Sequence, residues 1–360
     1  MNADEPAAVF ASDSAEGLPA EVAERIRRRG GTSTIYDIAE LAGVNPSTVS
    51  RALSKPGRIS AKTEAKIRAA ADRLDFQFNP MARALPTGRS QTIALLVADI
   101  TNPVVFGIVR GAERAAAGAG YTLVIAESQE SGEAEAKAIS RLVPSVDGIV
   151  LATTRLPDEN ISAIAHRKPV VLINRHVPGV ADVLPDVEVG VTELMEHLAG
   201  HGHTSIAYLA GPATSWISKR RWDSMFDAAE RLGIGIVEIG PLTPTIDGGR
   251  DAVRRVVASR ATAIIAFNDL MAIGLMQALA AAGVAVPAKI SVAGFDDIFG
   301  SELIVPALTT VRAQLELAGQ RAVEQVLDQV EHREPTDPAE LLTTALIVRG
   351  STGPARREKP

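Results

Sequence analysis

The residues best placed to do chemistry in this chain stand just behind short apolar runs. They are Asp99 and Asn102, Glu127 and Ser128, Thr153 and Thr154, Asn174 and Arg175, Asn268 and Asp269, and Asp296 and Asp297. Carboxylates, amides and hydroxyls of this kind suit a polyhydroxylated ligand, because one carboxylate or amide can hold two neighbouring hydroxyls. Each residue alone also suits a helix N-cap, so the recurrence carries the reading. A second set is the outer face of a short helix: Pro46, Ser47, Ser50, Arg51 and Ser54. Small polar residues with one arginine fit the major groove of DNA. Ser47 and Arg51 lie four apart and both reach base edges, whereas Pro46 offers only apolar contact, as to a thymine methyl. An ordinary helical hairpin is the alternative.

The elements that must position these residues follow from periodicity. The apolar runs 93–98, 122–126, 148–152, 170–174, 206–210, 263–267 and 290–295 alternate with helical patterns such as 189–200, 220–232 and 270–282. Continuous apolar strands between helices predict parallel sheets covered on both faces. In such sheets ligands bind beyond the carboxyl ends of the strands. Upstream, Thr34 and Asp37 form a capping-box-like pair, and Ile35, Ile38 and Leu41 make one apolar stripe. Gly43 marks a sharp turn, Asn45 is an N-cap, and Pro46 takes the first helical position. Val49 and Leu53 face back to the first helix. Ser60 caps a third helix over about 61–74, with Ile67, Ala70 and Leu74 inward. Asn79 and Pro80 can start a further helix that Pro86 and Gly88 stop within two turns, too short to stand alone.

Composition bounds the class. With 360 residues, 46% hydrophobic and 22% charged, the chain allows two or three domains. It has no cysteine, which excludes disulfides and thiolate metal sites. No apolar run reaches the roughly 18 residues of a membrane span, and the acidic start (Asp4, Glu5) is no signal peptide, so a cytoplasmic protein is expected. The net charge is −6, but residues 31–90 hold nine Lys or Arg against five Asp or Glu. A basic segment on an acidic body is the asymmetry of a protein that meets phosphates at one end.

The stretch from Thr34 to Leu53 resembles the headpiece of the LacI/GalR family of transcriptional regulators, through Thr34, Asp37, Ala39, Ala42, Gly43, Val44, Thr48, Val49, Ser50 and Arg51. The likeness runs on to about Gly350. It implies a helix-turn-helix headpiece ahead of a periplasmic-binding-protein-like core, two doubly wound α/β subdomains linked by crossovers near 188, 309 and 337. The expected domains are a tail (1–30), in which 20–29 can form a helix ending in Arg27, Arg28 and Arg29. Then come the headpiece (31–77), a hinge helix and linker (78–91), the core (92–350) and a second tail (351–360). Subdomain one takes 92–188 and 309–337, and subdomain two takes 189–308 and 338–350.

The family's functional residues carry over as expectations. Operator contacts fall on Thr34, Tyr36, Asn45, Pro46, Ser47, Thr48, Ser50, Arg51, Ser54, Arg83 and the leucine-wedge position Leu85. Arg221, Asn268 and Asp296 match effector-binding positions, and Asp186 matches the residue that opens the second subdomain. Three departures stand out: Phe78 replaces a common proline, Val187 a common asparagine, and Val104 and Val105 a pair of cleft phenylalanines. Ring stacking on a sugar is therefore expected of Phe106, Trp216 or Trp222, or is weak. Asp99, Asn102 and Arg175 complete the expected effector set. The expected partners are a pseudo-palindromic double-stranded operator, a sugar or related polyol, and a second copy of the chain, with no cofactor and no membrane.

Other chemistries fit poorly. His197, His201 and His203 run off a helix end into a turn, and relatives keep two of them for structural reasons. There is no P-loop, GxSxG or HExxH motif. Asp296 and Asp297 are adjacent and so point apart, a poor acid–base pair. A solute receptor for transport and a sugar-processing enzyme with a DNA tether are the rival readings. No heptad tail follows the segment 348–354, which favours a dimer over a tetramer.

Overall fold

Where Thr34 meets Asp37, the chain enters a helix: the Asp37 carboxylate accepts from the Thr34 amide at 2.8 Å and from its hydroxyl at 2.7 Å. The computed structural model describes residues 18–54, 58–76, 89–333 and 340–356, and the chain divides after Thr87 into two units. The first unit holds α1 (Ala20–Arg28), α2 (Ile35–Ala42), α3 (Pro46–Ser54) and α4 (Ala61–Arg73). Gly43 ends α2 at φ +65°, a left-handed conformation that glycine adopts without strain. The Ser60 hydroxyl accepts from the Thr63 amide to start α4. Inner faces meet in one cluster of Val22, Ile38, Ala39, Val49, Ala52, Ile67, Ala70 and Leu74. Ile35, Leu41 and Leu53 pack on its rim.

Residues 18–30 are not tail: α1 buries Val22 completely and lays Ile26 on the headpiece core. Val22 and Ile26, four apart, share one face of the helix, and Leu18 joins the cluster from just ahead of it. The hinge segment, with Arg83 and Leu85, lies largely outside the described residues.

The second unit has two sheets. The first contains β1 (Thr92–Val97), β2 (Thr122–Glu127), β3 (Gly148–Ala152), β4 (Val170–Ile173) and β5 (Ala181–Val183). Their order is β2-β1-β3-β4-β5, all parallel. Between them run α5 (Val104–Gly118), α6 (Gly132–Leu142) and α7 (Asp158–Ala165). After α8 (Val187–Gly200) the second sheet begins. Its strands are β6 (Ser205–Leu209), β7 (Gly235–Ile239), β8 (Ala263–Ala266), β9 (Ser291–Asp296), β10 (Thr309–Arg312) and β11 (Ala345–Ile347). The order is β11-β10-β9-β8-β6-β7, antiparallel only at β11. Its helices include α9 (Trp216–Leu232), α10 (Ile246–Asp251), α11 (Val253–Ser259) and α12 (Asp269–Ala281), and α13 (Leu315–Glu331) returns to pack on α5. That return is tight: a Cβ at Gly111 would lie 1.8 Å from the Glu316 carbonyl oxygen, so only glycine lets the two helices approach.

The strand order reverses beside β1 in the first sheet and beside β6 in the second, giving a switch point at the carboxyl end of each. The chain crosses between sheets at Asp186, between Arg312 and Leu315, and near Leu342. Two crossovers are zipped together, the Asp186 amide donating to the Leu342 carbonyl at 2.7 Å and the Leu342 amide to Leu184 at 2.8 Å. The expected crossover near 309 therefore comes too early. Thr309 to Val311 are buried and belong to the second sheet, because β9 and β11 saturate both edges of β10. Nor are 351–356 a tail. Ser351 is fully buried, its hydroxyl accepting from the Thr309 amide at 2.8 Å and donating to the Val292 carbonyl at 2.6 Å.

Candidate effector cleft and nucleic-acid interface

Arg221 leaves α9 with only 7% of its surface exposed. One end of its fork donates to the Phe267 carbonyl, the other to Asp296 Oδ1 at 3.1 Å. Its guanidinium carbon also lies 4.1 Å from the centre of the Phe295 ring, a cation–π distance. Asn268 caps α12: its Oδ1 accepts from the Met271 amide at 2.9 Å while Nδ2 donates to the Pro244 carbonyl at 3.0 Å. Behind it Asp269 is fully buried and accepts from Ser301 and Thr310 hydroxyls, each at 2.6 Å, and from the Ile298 amide at 3.1 Å. Burial first, then the charge of Asp296, pushes its pKa up to about 7 against the pull of those bonds. Burial likewise raises Asp296, opposed by Arg221. Asp297 turns the other way, to Arg312 and Arg349.

The first sheet supplies the facing wall. Asp99 accepts from the Thr101 amide and hydroxyl, and Asn102 Oδ1 accepts from the Val104 amide at 3.2 Å. Thr153 and Asn174 stand at φ +56° and +59°, and Glu130 also at +59°. Non-glycine residues in this region carry strain that structures keep where geometry matters for a site. Arg155, nearly buried, donates to Glu130 at 2.6 Å. Between the walls lies a cavity of about 50 Å³, bounded by Asp99, Asn102, Thr153, Asn174, Glu130 and Arg155 on one side and Arg221, Asn268 and Asp296 on the other.

In the first unit, Ser47 and Arg51 are exposed on α3, with Asn45 exposed at its start. Tyr36, on α2, is 67% exposed. Pro46, Thr48, Ser50 and Thr34 are half-buried. The Ser54 side chain, Arg83 and Leu85 lie outside the described residues.

Residues 34–79 match the model for bacterial regulatory proteins of the lacI family, and residues 195–352 the periplasmic-binding-protein-like domain. The HTH-type transcriptional regulator GalR of Escherichia coli K12 is 30% identical over 329 residues, 89% of this chain and 95% of that protein. The chain belongs to the lacI family. The ribose operon repressor of the same organism is also 30% identical, over 89% of this chain and 99% of its own. Among solved structures, the lac repressor dimer bound to operator and the anti-inducer ONPF aligns with a TM-score of 0.81 at 28% identity, covering 89% of this chain and 99% of that one. This lacI-family chain is therefore a DNA-binding transcriptional regulator with two α/β subdomains.

The cleft of this family member gathers Asp99, Asn102, Arg221, Asn268 and Asp296 from the sequence-based set, and leaves out three others. Phe106 is 52% exposed on α5, because one residue turns a helix by about 100° and Val104 and Val105 take the inward places. Arg175 turns away to Asp158. Trp222 stacks on Tyr208, ring centres 6.1 Å apart, and packs with Trp216 against the core instead of lining the cavity. Glu130, Arg155, Ile217 and Pro244 line the cavity without having been expected there. Positions one or two residues after a strand were legible, but Glu130 and Arg155 reach the cleft through loop geometry that no local spacing encodes. Two of the three histidines tie distant segments together: His203 is hydrogen-bonded to Thr262, Ser291 and the Gly353 carbonyl, and His197 to Thr352, while His201 bonds the His197 carbonyl.

Proposed function

We propose that this regulator is a cytoplasmic homodimer that binds a pseudo-palindromic operator through the exposed face of α3 and answers to an uncharged polyol, in the first place a sugar, bound in the cleft. The observation that carries the effector reading is the charge pairing there. Arg221 is matched by Asp296 and Arg155 by Glu130, with Asp99 left over. An anionic ligand would have to break one of these pairs. A polyol can donate to the carboxylates and accept from the guanidinium groups with both pairs intact. Val104, Val105, Ile108 and Ile217 offer an aliphatic surface to the C–H face of a sugar ring.

A cavity of about 50 Å³ is far below the ~300–1,000 Å³ of ordinary ligand sites. Effector binding thus requires the two subdomains to part, and the change in their angle is the signal passed to the hinge. Dimerisation is supported by exposed apolar residues of the second subdomain: Val305 is 96%, Leu303 73% and Phe299 68% exposed, beside a groove lined by Ile273, Met276 and Ile304.

The test is a thermal-shift screen of sugars, polyols, their phosphate esters and nucleosides. A ligand at 100 times its dissociation constant stabilises by about 2.7 kcal/mol. The reading expects stabilisation by an unphosphorylated polyol and none by its phosphate ester. Stabilisation by the ester alone would overturn the charge argument.

A further inference from the structure

The lacI-family match begins at Thr34, yet the headpiece core begins at Leu18. The added helix α1 docks in two ways. Val22, Ile26 and Leu18 join the apolar cluster, and two arginines from its C-terminal end reach one carboxylate. Arg25 Nε donates to Asp37 Oδ1 at 3.1 Å, and Arg29 Nη2 donates to both Asp37 oxygens at 2.8 and 3.0 Å. Arg29 Nη1 also donates to the Thr34 hydroxyl at 3.1 Å. Asp37 is fully buried while Arg25 and Arg29 are 43% and 35% exposed, so the arginines carry its charge to the surface. A buried carboxylate without such partners is strongly disfavoured.

We propose that α1 is a working part of the DNA-binding unit, in which Arg25 and Arg29 are positioning residues: by fixing Asp37 they fix the start of α2, and with it the pose of the recognition helix α3 that α2 packs against. A phosphate-binding role fits less well. Arg27 and Arg28 both end on Glu24, each at 3.1 Å, and Arg25 also pairs with Glu40, so the arginines of α1 are largely matched by acids. Arg25 and Arg29 turn donors inward. The depressed pKa of Asp37, where bonds from Thr34, Arg29 and Arg25 outweigh burial, agrees with a carboxylate kept charged.

The experiment uses the full chain, a palindromic duplex that the parent protein selects from a random pool, and a shuffled duplex of equal length. In the double variant Arg25→Gln/Arg29→Gln, at a temperature where headpiece amides stay as protected from exchange as in the parent, affinity for the selected duplex should fall roughly 10- to 100-fold. Affinity for the shuffled duplex should hold within about twofold, with an unchanged salt slope. Parent-like affinity for the selected duplex would make α1 a passenger and overturn the proposal. So would a joint fall on both duplexes with a shallower salt slope, which would make the arginines phosphate contacts. Should the double variant fail to fold, Arg29→Lys keeps the charge without the fork. It should lose selected-duplex affinity by roughly 3- to 10-fold at unchanged slope, and parent-like binding there overturns the proposal equally. A parent that selects no duplex would instead defeat the DNA-binding reading itself.

Discussion

Asp37 in the headpiece and Asp296 in the cleft are both carboxylates withdrawn from water beside an arginine, yet their surroundings push them in opposite directions. Asp37 accepts from the Thr34 amide and hydroxyl and from two arginines within twelve residues in sequence, and its pKa falls below the ordinary carboxylate value. Asp296 has Arg221, 75 residues away, as its one side-chain hydrogen-bond partner among the described residues, at 3.1 Å, and burial raises its pKa. The first is a closed clamp: its acceptor sites are filled and its charge is fixed. The second keeps acceptor capacity facing a cavity, in a setting where a new donor is favoured. Saturated polar groups mark structure, and undersaturated ones facing a void mark a place for a ligand.

Breaking the clamp should have the largest effect. Asp37→Ala strips the start of α2 of its acceptor and leaves two arginines without their partner. We expect a marked loss of headpiece stability, because the Thr34 amide and hydroxyl and both arginine forks lose their shared acceptor. The headpiece should unfold and operator binding vanish, while polyol-induced stabilisation of the core persists. Retained operator binding with parent-like headpiece exchange protection would end the contrast.

Opening the other side is the mirror experiment. Asp296→Ala should weaken effector binding by about 2–3 kcal/mol, near a hundredfold, since Arg221 loses its carboxylate and the ligand an acceptor. Operator affinity without effector should not move. Isothermal titration with the polyol found by screening decides this, and an unaltered dissociation constant would remove Asp296 from the site.

Arg51→Ala carries the contrast to the exposed face of α3, away from both buried carboxylates. It should reduce specific affinity by about 1–3 kcal/mol and relax preference at one position per half-site. A randomised-site selection giving the parent's preference would refute the assignment.

The two units should also differ in their response to pH. A depressed pKa means that Asp37 stabilises the headpiece above the ordinary value of 3.8 and that this is lost as pH falls below it. Asp269, pushed up to about 7, works the other way: its contribution is present at acidic pH and declines as pH rises from about 4 through 7. Both tryptophans, Trp216 and Trp222, are in the core, so their emission reports the core alone. Between pH 7 and 4 the core midpoint should rise in the parent relative to Asp269→Asn, while headpiece exchange protection should fail only below about pH 4. Parallel loss of stability in both units on acidification would contradict the assignment of opposite shifts.

How much of this was legible beforehand depends on the distance over which each feature is built. The helix-turn-helix is written in contiguous residues: Thr34, Asp37, Gly43 and Pro46 act through bonds one to four positions away, so types and spacing place them before any fold is known. The strand-end polar residues Asp99, Asn102, Thr153, Asn174, Asn268 and Asp296 were equally readable, because an apolar run between helices has only one way to lie in a parallel sheet. Spacing allows a helix over 20–29 but gives it no place in the headpiece, since its partner Asp37 belongs to another helix.

What the tertiary structure alone decided is which of these residues share a space. Arg175 and Trp222 have the right chemistry but spend it on Asp158 and Tyr208, while Glu130 and Arg155 arrive at the cleft through loops held at positive φ. Likewise, Thr309 to Arg312 belong to the second sheet because β9 and β11 lie on either side. Sequence spacing determines local conformation, which short-range bonds and sterics set. It does not determine which of two chemically equal side chains faces a cavity, because packing between elements tens of residues apart settles that choice.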